Sequence, residues 1–152
     1  MFRISRRLDY GLQLMAALAS DSENRAQSTA SLAEKLQIPL PFLHQIGHTL
    51  MQAGLIKATP GPRGGLRLNQ PAEDIPVLQI VEVLEGKIAI NPASEGEDFT
   101  SRANPAGQII WDELQDKVVT YLGALTLNQL VSPKEEAGEY QVSMQETVAK
   151  IN

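Results

Sequence analysis

The stretch Leu32-Ala33-Glu34-Lys35-Leu36-Gln37-Ile38-Pro39-Leu40-Pro41-Phe42-Leu43-His44-Gln45-Ile46-Gly47-His48-Thr49-Leu50-Met51-Gln52-Ala53-Gly54 decides the fold. Two helical segments meet in it across a tight connection, Gln37 to Pro41. Prolines suit that place because they pre-set φ at a helix start and cannot extend the preceding helix. The second segment is predicted from about Pro41 to Ala53, with Gly54 in the usual position past a helix end. Leu43, Ile46 and Leu50, spaced three and four apart, share one face that must be buried. His44, Gln45, His48, Thr49 and Gln52 fall largely elsewhere and are expected in solvent. The first segment is predicted to start near Ser31, where Ser31 and Glu34 fit a capping box and Leu32, Ala33 and Leu36 form a short apolar face.

Upstream, Ser5 can cap a first helix running to about Ser20, ended by Ser20-Asp21-Ser22-Glu23-Asn24. Arginines 3, 6 and 7 followed by an apolar run imitate a signal peptide. Asp9 and Gln13 interrupt that run, and Leu8, Leu12, Met15 and Leu18 recur at helical spacing, which favours an amphipathic helix of a soluble, cytoplasmic domain. Downstream, Leu55-Ile56-Lys57-Ala58-Thr59 and Leu66-Arg67-Leu68-Asn69 flank a glycine-rich turn and read as a hairpin. Ile75, Leu78, Val81 and Leu84 give a fourth helix ended by Gly86. Residues 87–105 read as a loop. A long helix follows from about Ala106 to Ala124, with Ile110, Leu114, Val118, Tyr121 and Leu125 along one stripe, and Thr126 capping a last turn, Leu127–Val131. The predicted organisation is a winged domain over 1–86, the loop 87–105, a helix-bearing segment 106–131 and a polar tail 132–152. The fold class is mainly α with a small β-hairpin.

Composition narrows the function. The chain has 152 residues, 43% hydrophobic and 20% charged, enough for one ordinary core. It contains no cysteine, which excludes disulfides, thiolate metal sites and cysteine nucleophiles. No run approaches the ~18 apolar residues of a membrane span. No nucleophile elbow, phosphate loop or useful carboxylate pair points to an enzyme. The net charge of -5 is divided unevenly: residues 1–70 hold eight bases against four acids, net +4, and residues 71–152 hold five against fourteen, net -9. A basic half joined to an acidic half suggests that only the first meets a polyanion. His44 and His48 stand at i and i+4, a spacing at which two histidines can share a metal, yet no third ligand accompanies them. The acids of Ala93 to Asp98 read as a solvated loop.

Helix, short helix, tight turn, helix and hairpin is a winged helix-turn-helix order. B-DNA's major groove admits one α-helix, and the second helix of the pair must bury one face while offering polar side chains on the other. A wing tip must approach the DNA backbone or minor groove closely, and Gly61, Gly64 and Gly65 permit that. Arg63 supplies a cation for the negative minor groove, and Arg3 and Arg7 can hold phosphates.

The pieces Leu32-Ala33-Glu34, Ile38 to Ile46, Ala53-Gly54-Leu55-Ile56, Gly61 to Leu68 and Val83-Leu84-Glu85-Gly86 resemble the Rrf family of winged-helix transcriptional regulators, the IscR-, NsrR- and CymR-like proteins. The opening Arg3 to Leu12, Trp111-Asp112-Glu113-Leu114 and Leu125 to Leu130 are similar too, so the resemblance covers residues 1 to about 131. It implies a homodimer built on the long helix, through Ile110, Trp111, Leu114, Val118, Tyr121 and Leu125. It implies double-stranded DNA with a near-palindromic operator as partner. Carried over by position, Pro39, Pro41, His44, Gln45 and His48 face the major groove, and Gly61, Arg63 and Gly64 form the wing. Several members hold an iron–sulfur cluster on three cysteines before the long helix. Asn91 to Pro105 has none, and Gln108 stands where some members have a histidine, so no cysteine-ligated cluster and no cofactor are expected. Pro60 replaces an arginine common before the wing glycines, and His44 stands where some members have a base-contacting glutamate, so the operator preference should differ. The alternative is a winged-helix module that binds a protein or senses a small-molecule effector without binding DNA.

Overall fold

The computed structural model describes residues 4–90 and 105–132; Arg3, most of the expected loop and nearly all of the expected tail lie outside them. Helices α1 (Arg6–Ala19), α2 (Thr29–Leu36) and α3 (Leu40–Gln52) are followed by strands β1 (Ile56–Thr59) and β2 (Gly65–Leu68). After a 3-10 turn (Ala72–Asp74) come α4 (Val77–Glu85), α5 (Pro105–Ala124) and α6 (Leu127–Val131).

Local chemistry sets these bounds. The Ser5 hydroxyl accepts the Leu8 N–H at 3.1 Å, capping α1, and also bonds the Glu85 carboxylate at the end of α4. Helix α2 begins earlier than the Ser31–Glu34 pair suggests, because Ser28 is its cap and accepts the Ser31 N–H at 3.5 Å. Helix α4 begins at Val77 and not at Ile75. Pro76 biases its predecessor toward extended backbone, and Ile75 is β-extended with φ -103° and ψ 102°.

The hairpin is antiparallel, pairing Ile56 with Leu68 and Thr59 with Gly65. Gln27 adds a single bridge to β2, exchanging 2.9 and 2.8 Å backbone bonds with Leu66. The Asn24 side chain grips both backbone groups of Leu68 at 3.0 Å. One core fills the space between α1, α3, α4 and the inner face of the hairpin, with Leu14, Leu43, Leu50, Leu55, Ile75 and Ile80 fully buried. No charged or polar residue is buried among those described, so the core is held by apolar area alone, at about 25 cal/mol per Å².

Helix α5 divides in two. Its second half lays Val118, Val119 and Leu122 against the core. Its foot is tied to α4 by the Val77 N–H on the Leu125 carbonyl and the Leu127 N–H on the Ile75 carbonyl, both at 2.8 Å. Its first half stands away from the core, with Ile109, Ile110, Trp111 and Leu114 in solvent. No helix among the described residues is long and apolar enough to cross a membrane.

Candidate nucleic-acid interface

The turn between α2 and α3 is a three-residue lock, Gln37 to Pro39. Gln37 adopts the left-handed conformation, φ 56° and ψ 37°. Its N–H reaches the Glu34 carbonyl at 3.3 Å, and the Ile38 N–H reaches the Ala33 carbonyl at 3.0 Å. That pair of bonds satisfies carbonyls left orphaned by the helix end. Buried Ile38 fixes the exit direction, and the Pro39 carbonyl then accepts the Leu43 N–H at 3.1 Å to open α3. The far end of α3 closes the same way around Gly54, φ 76°, with Leu55 bonded to Leu50 at 3.0 Å. Both ends of α3 are thereby set by backbone geometry.

Leu43, Ile46, Gly47 and Leu50 are buried, and His44, Gln45, His48 and Gln52 are exposed as the periodicity predicts; Thr49, expected in solvent, is half-buried and takes the Arg7 hydrogen bond, and Pro39 and Pro41 are exposed. Helix α3 carries no Asp, Glu, Lys or Arg. Its open face is therefore neutral apart from the two imidazoles, and presents hydrogen-bonding groups with no ion pairs to break.

Three elements border that face. On one flank Leu40 and His44 line a cleft of about 400 Å³ shared with Thr29 of α2 and with Thr59, Gly61 and Gly64 of the hairpin. On the other flank α1 supplies Arg7, whose guanidinium donates to the Thr49 hydroxyl at 3.1 Å, and Tyr10, whose ring meets Phe42 edge-on at 6.4 Å. Arg7 is thus exposed and joined to the open face, a link that sequence reasoning missed.

At the wing tip, Gly61 takes φ 103° with open space around it, and Gly64 closes the turn by a 2.9 Å bond to the Gly61 carbonyl. Gly64 and Gly65 also meet an internal need. A Cβ on Gly64 would lie 2.0 Å from the Thr59 carbonyl oxygen, and one on Gly65 would lie 2.0 Å from that of Gln27. Those glycines let the chain pack on itself. Arg63 stands exposed at the tip, with no ion-pair partner among the described residues.

The residues expected to dimerise do not form one exposed stripe. Ile110, Trp111, Leu114 and Tyr121 are exposed, whereas Val118 and Leu125 are half-buried against the protomer's own core. Ile109, at 64% exposure, joins the open set and escaped the sequence reading. Along the second half of α5, Leu8, Leu12, Val77, Val81, Val118 and Tyr121 border an apolar groove of about 370 Å³.

The family model described as "Rrf2: Iron-dependent Transcriptional regulator" matches residues 4–133. The chain belongs to the Rrf2 family. Among its relatives is the HTH-type transcriptional regulator IscR of Cereibacter sphaeroides, 33% identical over 118 residues and 76% of each chain. The structure of CymR, the global cysteine regulator of B. subtilis, is 31% identical, with a TM-score of 0.76 over 89% of this chain and all of that one. IscR of T. potens is 27% identical, with a TM-score of 0.69 over 86% of both chains. This Rrf2 protein is a DNA-binding transcriptional regulator of winged-helix type.

The iron named in the Rrf2 description finds no thiolate here. Iron–sulfur clusters are held by cysteine thiolates, and none of the 152 residues is cysteine. Among the described residues no three His, Cys, Asp or Glu side chains converge on a point that could hold a metal. The residues present do not fit a cysteine-held cluster.

Proposed function

We propose that this protein acts as a homodimer on near-palindromic double-stranded operators, without enzymatic activity, in the cytoplasm. In this reading α3 enters the major groove with His44, Gln45 and His48 toward base edges. Pro39 and Pro41 set its entry, Arg7 and the outlying Arg3 hold phosphates, and the Gly61–Gly64 tip carries Arg63 to the minor groove.

The observation that carries it is the open face of α3, which exposes His44, Gln45 and His48, is free of fixed charge and is flanked by a basic hairpin and a basic helix. Dimer formation is supported by the exposed apolar side chains on the first half of α5 and by an apolar groove bordered by its second half. Two such surfaces are self-complementary, as a two-fold interface requires. The donor set supports regulation that does not use a cysteine-ligated cluster.

Selection from a random duplex pool tests the reading. It should enrich a sequence with two half-sites one helical turn, or a multiple of it, apart. A pool that enriches nothing would instead favour a winged-helix module for a protein or small-molecule partner.

A further inference from the structure

We infer that the outer face of the hairpin is a second phosphate grip, holding the DNA backbone beside the stretch that α3 reads. The inference rests on the DNA-binding reading above and adds to it a surface not assigned there. Ile56, Leu66 and Leu68 point into the core, so alternation puts Lys57 and Arg67 on the opposite face. They are register partners, Lys57 directly across from Arg67. Like charges directly opposite in an antiparallel pair are destabilising.

Nothing among the described residues relieves this pair. Arg25 is held by Asp21 at 3.1 Å and Glu23 at 3.3 Å, and Lys117 by Glu113 at 2.6 Å, but neither Lys57 nor Arg67 has a carboxylate within ion-pair distance. The Arg67 Nε is shut off from solvent and has no hydrogen-bond acceptor. Buried donors in folded proteins nearly always have partners; an acceptor from outside cannot reach this shielded Nε and would meet the terminal nitrogens of the half-buried side chain, which are not shut off.

Charge complementarity names the class of that acceptor. The hairpin from Leu55 to Gln70 carries Lys57, Arg63 and Arg67 and no acid at all. Arg63 is at its tip, and the Lys57–Arg67 pair sits two residues behind the last strand pair, about 7 Å back along the strands. Cross-strand Cβ atoms lie about 5 Å apart, and a DNA strand offers a phosphate every ~3.4 Å of axis. Both side chains can therefore grip one backbone, the guanidinium by its planar fork and the ammonium as a point charge. A wing whose tip meets the minor groove brings this face to the flanking strand.

The test uses the full chain and a duplex enriched from a random pool, in two lengths. One ends at the last selected base pair, and the other extends about ten base pairs, roughly one turn, beyond it on each side. Affinity is measured between about 50 and about 200 mM salt. On the long duplex the Lys57→Gln/Arg67→Gln variant should lower the salt slope by about 2 per protomer, and Lys57→Gln alone by about 1. On the short duplex the slopes should match wild type, base preference should not change, and Arg67→Lys should keep the full slope. Hydroxyl-radical protection of the flanking sugars should be lost in the double variant only. Unchanged slopes on the long duplex for both Gln variants overturn the inference and assign the pair to an acidic protein. A wild-type chain that binds no duplex fails the DNA-binding reading and this inference together.

Discussion

Helix α3 and the first half of α5 both leave one side to solvent, and the two sides differ in chemistry. The open side of α3 centres on histidine and glutamine, with Leu40 and Phe42 exposed at its first turn, while that of the first half of α5 carries isoleucine, tryptophan and leucine. Exposed polar groups lose nothing in water and gain only from a partner that returns their hydrogen bonds in a fixed pattern. Exposed aromatic and aliphatic groups gain from any dry cover of matching shape. In the proposed reading α3 discriminates and α5 associates, so the two tasks fall on different helices.

The largest effect should come from the apolar side. Trp111→Asp/Leu114→Asp should turn a dimer into a monomer in sedimentation and lower operator affinity by about 10²–10⁴-fold through lost bivalency, with little change in protomer melting. An unchanged sedimentation coefficient would break the contrast. On α3 the inner and outer sides can be set against each other. Leu50→Ala, at a fully buried position, should cost about 2–5 kcal/mol in urea unfolding, and exposed His48→Ala should stay within about 0.5 kcal/mol. Gln45→Ala should lose about 1–3 kcal/mol of discrimination at one operator position, with the salt slope unchanged. Arg63→Ala should do the reverse, flattening the salt slope by about 1 at unaltered base preference.

The smallest effect should lie in the exposed ion pairs. The Arg25 hydrogen bond and the Glu23 backbone N–H hold the Asp21 carboxyl below its ordinary value, and Lys117 does the same to Glu113. A carboxylate lowered in the folded state stabilises it above the ordinary carboxylate range and loses that contribution as pH falls through its own lowered pKa. Arg25, Lys117 and Glu113 are open to solvent, where screening leaves little net stability. Carbon-13 titration should show Asp21 returning upward in Arg25→Ala, while the melting temperature at neutral pH barely moves.

Much of this was legible in the chain itself. The three-four spacing of Leu43, Ile46 and Leu50 placed the inner side of α3, and Gly54 marked its end. The start of α2 was misread because Ser28 and Ser31 offer the same capping chemistry, and Glu34 drew attention to the wrong serine. Gln37 gave no signal, since glycine or asparagine usually takes a left-handed helix end. The stripe on α5 was visible, but periodicity cannot tell an apolar side chain facing its own core, like Val118, from one facing out, like Leu114. The Arg7–Thr49 link joins residues 42 positions apart, and no local pattern reports it.

The two backbone bonds that tie the foot of α5 to the head of α4 act as a rivet. In the proposed dimer, the angle at which α5 leaves one winged unit is copied, by symmetry, into the distance and twist between both reading helices. The protein would then measure length as well as letters. One base pair inserted at the operator centre would rotate the second half-site by about 35°, from the 10–10.5 base pairs of a turn. A riveted joint could follow only by bending the DNA.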